Sequence, residues 1–149
     1  MYYIGIDPGL KGGIAVVTEK GDAWAKPYSN EELKGLCRFS PEGTIAVLEK
    51  VHAMPHQGVT STFNFGVSFG YIKGVLEANG IRYKLIDPRT WQNAFNLRPK
   101  HTKEDSIAKA KELFPAVNLK PTRRSRKDSD GMSDALLIAE WGRENISQE

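Results

Sequence analysis

The chain has 149 residues, the usual length of one domain, and we treat residues 1–149 as one domain. Its 40% hydrophobic and 26% charged residues exclude wholesale disorder, and its single cysteine, Cys37, excludes an intramolecular disulfide and a cysteine-based metal site. The net charge of +3 is compatible with an anionic partner, and we expect neither a signal peptide nor a membrane span.

Strand and turn signals dominate the first fifty residues. Glycines at positions 9, 12 and 13 predict a turn between two apolar strands, because glycine adopts backbone angles that other residues avoid. A helix follows the third strand and is capped by Ser29 or Asn30. The predicted elements are strands over 2–7, 13–18, 23–27 and 44–51 and a helix over 30–39.

The rest of the chain alternates helices with one further strand. Gly80 ends a long helix, Asp87 and Pro88 begin a short one, and Pro115 ends an amphipathic one. The predicted elements are helices over 61–79, from 87, over 103–113 and over 129–145, and a strand over 81–86. Strands interspersed with helices predict an α/β fold, with a mixed five-stranded sheet and helices on both faces.

Four carboxylates lie at positions that suit a metal-dependent site. Asp7 lies where a buried strand meets the glycine turn, and Glu49 lies near the end of an apolar strand. Asp130 and Asp134 are four residues apart at the start of the last helix, so they share one helical face. The apolar residues after Asp134 predict a deeply packed helix, beside which an unneutralised carboxylate is costly.

Carboxylates from several elements that converge at the end of a sheet repel one another, and divalent cations relieve that repulsion. Mg²⁺ prefers such oxygen ligands and keeps several waters. Two ions about 4 Å apart can activate a water and stabilise the leaving oxygen in phosphodiester hydrolysis. Each acid also has an ordinary interpretation: a turn residue for Asp7, a lysine partner for Glu49, a helix-dipole residue for Asp130. Together the four positions favour the metal site.

The ordered set of motifs resembles the RuvC-type Holliday-junction resolvases, and in particular the phage branch of that family. The motifs are 7–9 (Asp-Pro-Gly), 48–55 (Leu-Glu-Lys-Val-His-Ala-Met-Pro) followed by Gly58 and 61–63 (Ser-Thr-Phe), 87–91 (Asp-Pro-Arg-Thr-Trp) and 130–136 (Asp-Gly-Met-Ser-Asp-Ala-Leu). The resemblance runs from residue 2 to about residue 142, nearly the whole chain.

The resemblance implies an RNase H-like fold and a homodimer that cleaves four-way DNA junctions with Mg²⁺ or Mn²⁺, two ions in each active site. It also implies the cytoplasm of a bacterium or of a phage-infected host cell. By position, Asp7, Glu49 and Asp134 match the metal-binding carboxylates of the family. In well-known members the last two acids are three residues apart. Here Gly131 occupies that place, and Asp130 lies one step round the helix.

Two basic residues and a wedge are carried over from the same resemblance. Lys103 matches a basic residue near the active site of the family and is assigned a catalytic role. A second family lysine falls near Gln92, which is neutral here. The aromatic residue that wedges the junction falls near His52, so we expect His52, Met54 or Phe63 to act as the wedge.

Five basic residues fall within 120–127, directly before the last helix. Lysine and arginine neutralise backbone phosphates without reading bases, so this position favours a DNA-contacting loop over a solvated surface loop. The predicted DNA-binding residues are Lys11, Lys50, His52, Met54, Arg89, Lys100, Arg123, Arg124, Arg126 and Lys127.

Gly66, Gly70 and Gly74 recur every four residues along the long predicted helix. A glycine within a helix costs about 1 kcal/mol relative to alanine, so three of them require a reason. They allow close backbone approach either to the chain's own sheet or to the same helix of a second copy, and the resemblance favours the dimer. Trp91 and Phe95, also four apart, are expected in the core.

The leading hypothesis is a metal-dependent endonuclease that nicks opposing strands of a four-way junction. One alternative is a nuclease with a broader preference for branched DNA, flaps or RNA–DNA hybrids. Another is a junction-binding protein without catalytic activity. ATP-dependent phosphotransferases also use an Asp-x-Gly hairpin, but they need two such lobes, and 149 residues supply one.

Overall fold

The computed structural model describes residues 1–50 and 55–146, so the predictions for His52 and Met54 lie outside the described residues. The strands are β1 (Tyr2–Asp7), β2 (Gly13–Thr18), β3 (Ala23–Pro27), β4 (Ile45–Glu49) and β5 (Arg82–Ile86). The helices are α1 (Asn30–Phe39), α2 (Val59–Ala78), α3 (Pro88–Ala94), α4 (Lys103–Leu113) and α5 (Asp130–Asn145). In this part of the chain, no helix combines the length and apolar character that crossing a membrane requires.

The five strands form one mixed sheet in the order β3-β2-β1-β4-β5. β1, β2 and β3 are antiparallel neighbours, as the short turns between them require. β4 continues the sheet as a parallel neighbour of β1, and β5 as a parallel neighbour of β4, each reached through a helical connection. The predicted mixed five-stranded α/β architecture is confirmed.

Local sequence explains most of the element boundaries. The Ser29 side chain accepts a hydrogen bond from the backbone N–H of Glu32, so Ser29 and not Asn30 caps α1. The predicted strand over 44–51 spans Ile45–Glu49 in the structure, where its last register partner is Ile86 of β5, and residue 51 lies outside the described residues. α2 begins at Val59, two residues before its predicted start.

Helices cover both faces of the sheet. Because successive strand residues point to opposite sides, each strand contributes to two cores. α1 and α2 cover one face, where Leu33 and Leu76 pack with Ile4 of β1. α3, α4 and α5 cover the other face, where the core includes Trp91, Phe95, Ala110 and the apolar residues of α5.

α5 lies unusually close to the sheet, and glycines make this possible. A Cβ atom at Gly5 of β1 would stand 2.0 Å from the carbonyl oxygen of Ala135, and one at Gly131 would stand 2.0 Å from the carbonyl oxygen of Lys11. Either clash could be relieved only if α5 moved away from β1 or from the turn at Lys11. The first turn of α5 is therefore held against β1 and the glycine turn that follows it.

The glycines of α2 have a different environment. Among residues 1–50 and 55–146, a Cβ atom at Gly66, Gly70 or Gly74 would meet nothing within 4 Å. The stripe therefore does not serve close packing on the chain's own sheet, and that alternative is wrong. Only Ile72 and Leu76 are buried among the twenty residues of α2.

Candidate active site

Asp7 and Glu49 end two neighbouring parallel strands. The last register pair between β1 and β4 is Ile6 with Leu48, so the two acids follow side by side at one edge of the sheet. Both share the strand face of Gly5, which packs directly against α5. The strand period thus turns both carboxylates toward the side of the sheet that α5 covers.

Asp130 and Asp134 come to the same edge because α5 starts there. The side chain of Ser129 caps the helix by accepting a hydrogen bond from the backbone N–H of Met132 at 3.1 Å. Asp130 then occupies the first turn, and Asp134 follows one turn later, facing the end of the sheet. Gly131, between them, cannot carry a side chain because Lys11 is too close. This contact explains why no acid stands at position 131 and why Asp130 takes the neighbouring position.

The carboxylates are close enough to perturb one another's protonation. Burial raises the pKa of Asp7 well above its usual range, and the charges of Glu49, Asp134 and Asp130 raise it further. Burial also raises the pKa of Glu49, against the opposing effect of a hydrogen bond from Trp91. The structure therefore brings the four acids named from the sequence into one electrostatic group.

Asp134 has the environment least favourable to a free negative charge. Burial raises its pKa to about 7; a hydrogen bond from Ser106 opposes this shift, and the charges of Glu49 and Asp130 add to it. Its Oδ1 atom is buried and has no hydrogen-bond partner among the described residues. Such an orphaned oxygen is costly unless something cationic or a donor completes it.

The four acids lie around one region, but their side chains do not converge on a single point. Within residues 1–50 and 55–146, no three His, Cys, Asp or Glu side chains stand close enough together to hold a metal ion in their present conformations. The donor set consists of carboxylate oxygens, which suit hard divalent cations such as Mg²⁺ and Mn²⁺. Their role as ligands stays a prediction.

Two basic side chains stand beside this acidic group. Lys103 is the exposed first residue of α4, one turn before Ser106, which hydrogen-bonds Asp134. Gln92 is buried, and its Oε1 accepts a hydrogen bond from Arg98 Nη1 at 3.5 Å. Although position 92 itself is neutral, Arg98 supplies a cation next to it, which the sequence alone did not indicate.

The basic segment over 120–127 lies in a loop just before α5, and a backbone hydrogen bond joins the two ends of that loop. The backbone N–H of Ser129 donates to the carbonyl of Leu119 at 2.7 Å and closes the loop. Asp128 anchors it through ion pairs with Lys111 and Lys120. The predicted phosphate-binding residues of the loop are all exposed on its surface: Arg123, Arg124, Arg126 and Lys127.

The remaining predicted DNA-binding residues within the described ranges lie on several elements around the site. Lys11 is exposed in the turn that touches Gly131, and Lys50 is exposed directly after Glu49. Arg89 and Lys100 are also exposed, on α3 and before α4. Phe63, one of three wedge candidates, is an exposed residue of α2.

Sequence reasoning missed three residues that contact the acids directly or through one neighbour. Trp91, predicted only as a core residue, is fully buried, and its Nε1 also donates to Glu49 Oε2 at 2.7 Å. Ser106 and His101 carried no recognisable signal, because each acts through a tertiary contact. The Ser106 Oγ and His101 Nε2 atoms are 2.6 Å apart.

No protein-family model and no curated protein matches the chain. Solved structures of RuvC from Thermus thermophilus do match it. RuvC in complex with a Holliday junction substrate has a TM-score of 0.61 at 18% identity, covering 97% of each chain. A second RuvC structure from that organism has a TM-score of 0.57 at 20% identity, covering 93% of this chain and 91% of that one. The chain therefore has the RNase H-like fold of RuvC, as the resemblance implied.

Proposed function

We propose that this protein is a metal-dependent endonuclease that resolves four-way DNA junctions by paired nicks in opposing strands. The observation that carries the proposal is the grouping of Asp7, Glu49, Asp130 and Asp134 where β1, β4 and α5 meet. The shared fold adds support, because one of the similar structures is RuvC in complex with a Holliday junction substrate.

The four acids fit a divalent cation. Their oxygens are hard ligands, and the orphaned Oδ1 of Asp134 lacks the partner that a cation would supply. When bound, a pair of Mg²⁺ or Mn²⁺ ions would activate the attacking water and stabilise the leaving 3′ oxygen. Asp7, whose pKa is raised by the charges of all three other acids, would hold the ions together with Glu49, Asp130 and Asp134.

Basic residues around the acids would hold the DNA backbone. Lys103, at the start of α4, would orient the scissile phosphate. The loop residues between Lys120 and Lys127, with Lys11 on the adjoining turn, would neutralise neighbouring phosphates. Such contacts position a substrate and carry no base specificity, which suits an enzyme that recognises a branched shape.

We assign the dimer contact to an apolar surface of α2, which we call the α2 surface. It comprises Val59, Phe63, Val67 and Tyr71, all exposed and spaced four residues apart on one helical face, with the glycines at 66, 70 and 74 beside them. A contiguous apolar surface of this kind marks an interface, and glycines allow two helices to approach closely. Two-fold pairing would place two active sites against the two opposing strands of a symmetric junction.

Mapping of nicks on defined DNA tests the proposal. The protein is incubated with Mg²⁺ and end-labelled four-way, three-way, flap, RNA–DNA hybrid and linear duplex substrates. We expect symmetric paired nicks near the crossover of the four-way junction. Equal nicking of flaps or hybrids would indicate the broader nuclease, and equal nicking of linear duplex would reject structure selectivity.

Asp7→Asn separates catalysis from binding. The amide keeps the size of the side chain but removes a charged ligand, so we expect cleavage to fall by at least about a thousandfold, equivalent to ~4 kcal/mol of barrier, while junction binding in Ca²⁺ persists. Asp22→Asn, in the turn between β2 and β3 at the opposite end of the strands from Asp7, is the matched control and should cleave normally. Binding without cleavage by the wild-type protein would favour the non-catalytic alternative, and normal cleavage by Asp7→Asn would refute the metal assignment.

A further inference from the structure

Two of the four acids have buried polar donors beside them on the α3–α4 side of the site. Trp91 Nε1 donates to Glu49 Oε2 at 2.7 Å. The Ser106 hydroxyl lies close enough to Asp134 to lower the pKa of that acid against the effect of burial. Both donors are fully buried, with relative exposures of 0%, so core packing fixes their positions. Hydrogen bonds of this kind to a carboxylate are among the stronger ones in proteins.

His101 is the measured hydrogen-bond partner of Ser106. The Oγ atom of Ser106 lies 2.6 Å from His101 Nε2 and has one proton to donate. An ionised Asp134 only accepts, so a Ser106 hydroxyl that donates to it would accept from His101 Nε2–H. In that arrangement His101 orients the serine toward the acid.

The two donor systems also touch each other. The rings of His101 and Trp91 meet edge to face, with centroids 5.8 Å apart and an interplanar angle of 83°. The donor to Glu49 and the support of the donor to Asp134 therefore form one packed unit. Movement of either ring would disturb the orientation of both acids.

We propose that Trp91, Ser106 and His101 are positioning residues, which orient the carboxylates of Glu49 and Asp134 for the divalent cation. The inference rests on the proposed function, because it assigns a purpose to these acids. Hydrogen-bond partners of metal ligands commonly change metal affinity by 10- to 100-fold when they are removed. The buried orphan Oδ1 of Asp134 agrees with this role, because the acid is held while one oxygen stays available.

Four variants test the donors with little change in shape. Trp91→Phe removes the indole N–H, and Ser106→Ala removes the hydroxyl. His101→Phe keeps a ring against Trp91 but removes the donor to Ser106, whereas His101→Gln restores an N–H donor. The matched controls are Trp141→Phe and Ser133→Ala, since both are buried residues of α5 outside the acidic group.

The primary measurement is calorimetric titration of MnCl₂ into the DNA-free protein. We expect Trp91→Phe, Ser106→Ala and His101→Phe to weaken Mn²⁺ binding by about tenfold or more, with both controls within about twofold of wild type. His101→Gln should recover most of the lost affinity. In junction cleavage, the same three variants should lower kcat at saturating DNA and leave KM nearly unchanged, because the DNA-contacting residues are intact.

The outcomes separate this inference from the proposed function. A wild-type protein that neither binds Mn²⁺ nor cuts the junction would reject the proposed function. A wild-type protein that does both, with the donor variants matching their controls, would reject the positioning role alone. Equal losses in the donor variants and in Trp141→Phe and Ser133→Ala would assign the effect to core packing and also overturn it. If Trp91→Phe does not fold, the His101→Phe and His101→Gln pair still decides.

Discussion

The two longest helices, α5 and α2, both contain glycines and apolar residues, and they use them in opposite ways. Eleven of the sixteen residues of α5 are buried, whereas two of the twenty residues of α2 are. A Cβ at Gly131 of α5 would collide with the backbone of Lys11, whereas one at Gly70 of α2 would meet only open space. Glycines and apolar residues therefore pack against the chain's own backbone in α5, whereas in α2 they remain at the surface.

The difference separates a helix that packs within the chain from one that we assign to assembly. α5 packs against β1, β2 and the glycine turn, and this contact also brings Asp130 and Asp134 to the acids of the sheet. α2 leaves Phe63 69% exposed and Val59 88% exposed. Exposed apolar residues of this kind are typical of an interface, which is why we assign the α2 surface to contact with a second copy.

The largest expected effect comes from adding one methyl group to a glycine under α5. In Gly5→Ala, the new Cβ would stand 2.0 Å from Ala135 O and 2.5 Å from Ala139 N, so α5 must lift from the sheet. We expect a loss of about 3 kcal/mol or more in the free energy of unfolding, as measured by urea titration. Gly35→Ala, in α1 with nothing within 4 Å, should instead gain about 0.5–1 kcal/mol. A stable Gly5→Ala protein would contradict the close packing.

The next effect concerns the α2 surface. Val67→Glu places a charge on an exposed apolar residue, so the fold should survive while self-association weakens by about 30-fold or more. Sedimentation equilibrium over a range of concentrations measures the dissociation constant. Phe39→Glu is the control, because Phe39 is an exposed apolar residue at the end of α1, outside the α2 surface. Equal dissociation in both variants, or a wild-type monomer at all concentrations, would end the assignment of this surface to a dimer.

The third effect is a dependence of stability on pH, centred on Asp134. Its pKa rises to about 7 in the folded protein from an ordinary value of 3.8, so the folded state binds the proton more tightly than the unfolded state. This contribution is complete below about pH 4 and is lost as the pH rises through 7, a change on the order of a few kcal/mol. We expect Asp134→Asn to be more stable than wild type at pH 8 without divalent cations, and to lose that advantage at pH 4.

A control of opposite sign is available in the same region. Ion pairs with Lys111 and Lys120 lower the pKa of Asp128, so its stabilising contribution is present above the ordinary pKa and lost as the pH falls. Asp128→Asn should therefore be less stable than wild type at pH 8 and should approach it in acid. Urea unfolding at both pH values compares the two variants. The same sign of change in both would show that the burial of Asp134 does not govern its titration.

The fold could be predicted almost entirely because its signals are local. Apolar strand runs, the caps at Ser29 and Asp87, and the glycine turn each act within a few residues. The four acids could be named because strand ends and the helix start carry positional meaning. That the stripe on α2 faces outward could not be foreseen, because glycine spacing is the same whichever partner it meets.

The supporting residues of the site were beyond prediction for a different reason. Trp91 and Glu49 are 42 positions apart, and nothing in either local sequence indicates their hydrogen bond. His101 lies on the connection into α4 and Ser106 lies within that helix, where histidine and serine usually face solvent. Their role depends on the packing of α4 against α5, which brings Ser106 close to Asp134. A tertiary contact of this kind produces no periodic pattern in the sequence.

The smallest expected effect concerns the loop over 120–127, whose cations, like the α2 surface, face outward. Arg123→Ala with Arg124→Ala should weaken binding of every DNA substrate to a similar degree, and the slope of log K against log salt should flatten by about 0.9 for each phosphate that the variant no longer neutralises. Fluorescence anisotropy with labelled junction and duplex, from about 50 to about 200 mM salt, measures both quantities. Lys20→Ala with Lys73→Ala removes the same charge from elsewhere and controls for net charge. If that control binds DNA equally weakly, the loss is caused by the change in net charge. The loop would then contribute no more to DNA binding than any other basic surface.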